Sequence, residues 1–122
     1  MSVWALLSVV VCGGAATVIR YLVARAWPVR PGRLPGGVLL VNVVGSALGG
    51  VVLGLAERAA ISADLQLVLL TGVCGGLTTF STWSVETIEL VNRGRWRSAV
   101  VNAGLTLALG VGVATLGYLL AR

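Results

Sequence analysis

Between Thr71 and Glu86 the chain reads Thr-Gly-Val-Cys-Gly-Gly-Leu-Thr-Thr-Phe-Ser-Thr-Trp-Ser-Val-Glu. Nearly every side chain there that could do chemistry is an uncharged hydrogen-bond donor or an aromatic ring. Adjacent glycines followed by threonines weaken a helix. A main-chain group freed inside hydrocarbon is costly unless protein or a lined cavity takes it up. Carbonyls released along Gly75-Gly76-Leu77-Thr78-Thr79 would be hard oxygen ligands, of the kind that hold a small cation where a membrane helix is interrupted. Phe80 and Trp83 stand three residues apart and so share a helical face. Aromatic ring edges are electropositive, and the indole N–H is a true donor. Ser81, Thr82 and Ser84 add hydroxyls, and Asn42, in an otherwise apolar stretch, adds a carboxamide. The set suits a small anion that must exchange its water for other hydrogen bonds. It suits a cation poorly, apart from the freed carbonyls. The plainer alternative is a glycine kink with threonines bonded back to the helix, a packed Phe80–Trp83 pair, and an asparagine that joins two helices.

What is missing narrows the field further. The 122 residues include no histidine and only four acidic side chains, of which Glu86 and Glu89 lie beyond the aromatic pair. Most general bases, metal-ligand clusters and activated nucleophiles are thereby removed, and no enzyme is expected. Cys12 and Cys74 lie in apolar stretches without zinc-ligand spacing and read as small hydrophobes. The nine basic residues are all arginine and sit between or at the ends of apolar runs. That is a membrane-flank pattern, so no nucleic-acid partner is expected.

The elements that position these residues follow from composition. Hydrophobic residues make up 57% and charged residues 11% of the chain, against about a quarter charged in soluble domains. Mean hydropathy is +0.99. A bilayer core takes about 20 apolar residues as helix. The sequence predicts an all-α integral membrane protein, one domain over residues 1–122, with spans at about 3–22, 37–56, 65–91 and 98–120 and the third span broken. The first apolar stretch lacks a basic n-region and reads as a retained span, not a signal peptide. Gly45, Gly49, Gly50 and Gly54 let helices approach closely, within the chain or between copies. Arg58 and Arg122 flank one side of the membrane, and the other seven arginines flank the opposite side. The positive-inside rule then predicts cytoplasmic loops at 25–35 and 92–97.

The run from Gly72 to Thr82 resembles the signature of the bacterial fluoride channels, the CrcB or Fluc family. Val41-Asn42 with Gly45-Ser46 is similar to that family's second motif, and Gly13-Gly14 followed by Arg20-Tyr21 to its first. The resemblance spans nearly the whole chain in order. It implies a fluoride-selective channel of the bacterial plasma membrane, a dimer of antiparallel four-helix subunits with two pores, lowering cytoplasmic fluoride by passive export. It also implies a structural, untransported sodium ion at the dimer centre, held by main-chain carbonyls. Carried over by position, the sodium ligands are Gly75 and Thr78. The fluoride path takes Asn42, Phe80, Ser81, Thr82 and Trp83, with Arg20 in the vestibule and Glu86 near the path's end. The family usually has phenylalanine at the position of Trp83. Many members also balance their loop charges and insert both ways, whereas this chain has two flanking arginines against seven. The imbalance points to a single orientation and to pairing with an oppositely oriented paralogous subunit.

Two other readings use the same composition. A small four-span multidrug or cation exporter needs a titratable acid deep in the first span, where the only charge is Arg20. A structural membrane subunit would account for the glycines but not for the donors clustered in the third span.

Overall fold

The computed structural model describes all 122 residues as helices and short connections, with no strand. Helix α1 runs Val3–Ala26 and α2 runs Gly36–Glu57. The third span begins as α3, Ala63–Leu67, widens into a π-helical stretch, Val68–Cys74, and closes with one α-helical turn, Gly75–Leu77. Helix α4, Phe80–Asn92, completes it, and α5, Trp96–Ala121, follows after a tight turn. Four helical units are long and apolar enough to cross a membrane: Val3–Ala26, Gly36–Glu57, Ala63–Asn92 and Trp96–Ala121.

Side-chain oxygens start the helices where the sequence supplies them. The Ser2 hydroxyl accepts from the Ala5 N–H at 3.0 Å, and Ser62 accepts from Leu65 at 3.1 Å. Each cap satisfies one of the donors a helix start leaves open. Ser2 also donates to Asp64 at 2.8 Å, tying the first span to the third at one end of the molecule. At that end the Tyr118 hydroxyl donates to Glu57, joining α5 to α2.

Packing is by pairs. α2 lies along α5, α1 lies along residues 63–77, and α4 leans on α5. The third span therefore changes partners midway, from α1 to α5. Glycine sets the closeness of these contacts. A Cβ on Gly50 would run into the Ala114 carbonyl of α5, and one on Gly76 into the Gly13 carbonyl of α1. With no hydrophobic drive between helices in lipid, such approach is what holds them together.

Only 18 of the 122 residues are buried, with Ala16, Val41 and Leu77 as the central cluster. The remaining apolar surface is the face a membrane protein offers to lipid or to another subunit. Trp4 and Leu120, at 78% and 79% exposed, are among its extremes.

The break differs in detail from the sequence reading. Gly75 and Gly76 do not interrupt the helix; they belong to its last turn, where Gly76 seats against α1. The interruption falls at Thr78 and Thr79, both in extended conformation at φ −85°, ψ 155° and φ −145°, ψ 119°. Gly76 serves close packing, and β-branched threonines, which fit extended backbone well, make the turn between partners. The wide turns ahead of it, such as Gly75 N–H to the Leu70 carbonyl, were not foreseen.

Candidate functional site

Asn42 of α2 clamps the break from the side. Its Nδ2–H donates to the Thr79 carbonyl at 3.1 Å, and its Oδ1 accepts from the Thr79 N–H at 2.7 Å. Both main-chain groups of a buried, non-helical residue are thus satisfied by one carboxamide, as the membrane interior demands. The Thr79 hydroxyl caps α4 by accepting from the Thr82 N–H at 3.2 Å, and it lies 3.3 Å from the Ser81 hydroxyl and 3.2 Å from that of Thr82. Thr78 turns its hydroxyl back to the Cys74 carbonyl at 2.9 Å and rests its methyl on Gly45.

These side-chain acceptors have a consequence for the carbonyls. In an unbroken helix the Thr79 N–H would bond the Gly75 carbonyl and the Thr82 N–H the Thr78 carbonyl. Here the first goes to Asn42 and the second to Thr79 Oγ1, so both carbonyls lose their helical donors. The Phe80 and Ser81 N–H groups likewise make no bond back to Gly76 or Leu77, so the carbonyls of residues 75–78 all lose their helical donors at one break. Such hard oxygens are the donor type that binds an alkali or alkaline-earth cation. Gly76, by contrast, has its carbonyl partly covered by the Thr17 hydroxyl at 3.4 Å.

Beside the break an open groove of about 390 Å³ is lined by Asn42, Thr78, Phe80, Trp83 and Thr106, among others. The Phe80 and Trp83 rings meet at 5.4 Å between centroids, tilted by 56°. Phe80 is 77% exposed. The Trp83 Nε1 and the Thr106 hydroxyl are buried with no hydrogen-bond partner in the chain, as is one carboxylate oxygen of Glu86. A buried polar atom left unsatisfied costs about 1–3 kcal/mol. Trp83 and Thr106 both line the groove, whereas Glu86 does not.

Of the residues expected in the site, Asn42, Thr78, Phe80 and Trp83 come together at the groove. Gly75 lies one turn before it in the closing helical turn. Ser81 and Thr82 lie at the start of α4, around Thr79 Oγ1, and are not among the lining residues. Glu86 is one turn beyond Trp83, and Arg20 sits on α1, away from the groove. Sequence reasoning passed over Thr106 and Asn102 on α5 and the capping role of Thr79. Asn102 is the most fully buried large side chain, and its amide donates to the Thr87 hydroxyl at 3.0 Å. The available signal was the spacing Asn102, Thr106, Gly110, a stripe at four-residue intervals down one helical face.

Fold and site together define a small multi-pass membrane protein built around a discontinuous helix and an uncharged, donor-lined groove. The chain belongs to the CrcB family: the family model described as CrcB-like protein, Camphor Resistance (CrcB), matches residues 7–118. Among its curated relatives, the fluoride-specific ion channel FluC 2 of Prochlorococcus marinus (strain MIT 9313) is 46% identical over 102 residues, covering 77% of this chain and 79% of its own. The fluoride-specific ion channel FluC of Shewanella sp. (strain ANA-3) is 41% identical over 113 residues, covering 92% and 91%. That of Clostridium novyi (strain NT) is 38% identical over 117 residues, covering 93% and 91%. These relatives are named as ion channels, not as enzymes.

Proposed function

We propose that this protein is a fluoride-selective channel subunit that lets fluoride leave the cytoplasm passively. The observation that carries the reading is the groove's chemistry. Its unsatisfied groups, the Trp83 N–H and the Thr106 hydroxyl, are neutral donors beside two aromatic rings in a setting meant for lipid. Fluoride, small and strongly hydrated, enters only where its water is replaced by hydrogen bonds. The Trp83 N–H and the Thr106 O–H supply these, and the electropositive edges of Phe80 and Trp83 supply weaker ones. No coupling site is needed, because an inside-negative potential drives an anion outward by about 2.3 kcal/mol per charge per 100 mV. Relatives named as fluoride-specific ion channels support the same reading.

The groove is open and Phe80 protrudes from it, which supports an assembly in which a second, antiparallel subunit closes the path. A sodium ion at the centre of that dimer would be held by the Gly75 and Thr78 carbonyls, and their displaced helical donors fit that role. Bound there, it would supply a fixed positive charge beside the break. The test is fluoride efflux from liposomes, read with a fluoride electrode. Purified protein should release fluoride with chloride in excess, and Phe80→Ile protein of unchanged oligomeric size should not. Equal efflux from the variant would remove Phe80 from the path.

A further inference from the structure

The connection between α1 and α2 holds a second cavity, well away from the groove, of about 260 Å³ and lined by Ala26, Trp27, Pro28, Arg30, Arg33 and Leu34. Its two arginines are brought together by backbone design. Arg30-Pro31-Gly32-Arg33 closes a turn through the Arg33 N–H to the Arg30 carbonyl at 3.0 Å, and Gly32 has φ +80°. Proline at the second position and a left-handed glycine at the third are what a type II turn requires, and that turn holds its first and last Cα atoms within about 7 Å. Trp27 fixes the other wall, its indole packed so closely on Gly36 that a Cβ there would lie 2.9 Å from the ring. Helix α2 starts next to Leu34 with no side-chain cap, adding the partial positive charge of a helix N-terminus. No acidic residue occurs between Met1 and Ala56, so the loop has no neighbouring carboxylate in sequence. Arg25 and Arg95 donate to Tyr21 and Ser98, and Arg97 and Arg122 lie over aromatic rings, whereas Arg30 and Arg33 make no such contact.

We propose that this cavity binds a phosphate ester, and that its source is the headgroup of an anionic phospholipid. Paired guanidinium forks match phosphate oxygens in geometry as well as charge. A loop joining two spans lies at the height of the headgroups, and Trp27 beside Ala26 and Leu34 offers the half-apolar, half-polar wall typical of that layer. Basic pockets between spans are recurrent lipid-headgroup sites. The site takes no part in the groove's chemistry.

The test is native mass spectrometry of the intact purified protein, titrated with phosphatidylglycerol or with phosphatidylcholine. The wild type should retain phosphatidylglycerol preferentially. The Arg30→Gln/Arg33→Gln variant should bind it about thirtyfold more weakly, five- to sixfold for each arginine. Arg93→Gln/Arg97→Gln, which removes the same charge elsewhere, should bind nearly as the wild type does, and both variants should keep the wild-type oligomer and fluoride efflux. Equal losses in the two variants would reduce the effect to net charge and overturn the proposal. So would unchanged retention by Arg30→Gln/Arg33→Gln. Displacement of the lipid by millimolar inorganic phosphate would overturn the lipid assignment in favour of a soluble phosphate.

Discussion

Asn42 illustrates why one residue at this site has more than one task. Its carboxamide gives one bond to the Thr79 main chain and receives one, which leaves its second N–H without a partner in the chain. In this arrangement it shapes the path by fixing the break. Asn42→Ala frees both Thr79 groups in an apolar setting, at about 1–3 kcal/mol each. The expected outcome is a clear fall in thermal stability in detergent together with lost fluoride efflux. Asn42→Asp keeps an acceptor for the Thr79 N–H but gives up the donor to its carbonyl and adds negative charge at the groove, so efflux should fall there as well. Trp83 argues the other way. Its N–H has no partner in the chain, so Trp83→Phe removes an unsatisfied donor and should raise stability by about 1 kcal/mol. Fluoride efflux should fall, since the ring edge that remains beside Phe80 replaces the lost N–H only weakly. Unchanged efflux in that variant would remove the indole N–H from the ion's path.

Among the elements, the third span holds most of the molecule's information, and it was only partly legible in advance. The spans announce themselves because hydropathy in lipid is nearly sufficient to define a helix. The broken helix was legible from composition, and the run expected to break it includes Thr78 and Thr79 but also takes in Gly75 and Gly76, which stay helical. Glycine's low helix propensity suggested Gly75 and Gly76. In place, the missing side chain of Gly76 serves contact with α1, and propensity yields to packing there. Thr106 and Asn102 went unread because a lone hydroxyl or amide in an apolar span has no meaning until the helix it faces is known. The π-helical stretch leaves no composition cue at all. Glycine contacts give a direct test at this scale. Gly50→Ala forces the α2–α5 main chains apart and should cost about 1–3 kcal/mol, read as a lower melting temperature. Gly104→Ala, on α5 with nothing within 4 Å, should be neutral or slightly stabilising. The freed carbonyls give a second. If Gly75 and Thr78 hold sodium, exchange into N-methylglucamine buffer should lower the melting temperature of the assembled protein, and restored sodium should recover it.

At the scale of the whole molecule the open question is what covers the groove, and charge distribution gives a definite expectation. The ends near Ser2, Glu57, Asp64 and Tyr118 form one pole, joined by the Ser2–Asp64 and Tyr118–Glu57 hydrogen bonds. The opposite pole carries Arg25, Arg30, Arg33, Arg93, Arg95 and Arg97. Arginines so distributed, in loops short enough for the bias to act, favour insertion with the 25–35 and 92–97 loops in the cytoplasm. A C-terminal alkaline phosphatase fusion should then be active and a C-terminal green fluorescent protein fusion dark. Comparable signals from both would mean that the chain inserts either way. Single orientation has a further consequence. An antiparallel dimer cannot form from copies that all point the same way, so the groove would be closed by an oppositely inserted paralogue. Liposomes made from this chain alone lack the constraint of biological insertion, and both orientations are present there. Efflux from such liposomes, with none from cells that express only this chain, is the pattern expected of a subunit that can pair with itself but is kept from doing so in the cell by its single orientation. Efflux in both settings would instead fit a homodimer whose arginines fail to fix its orientation.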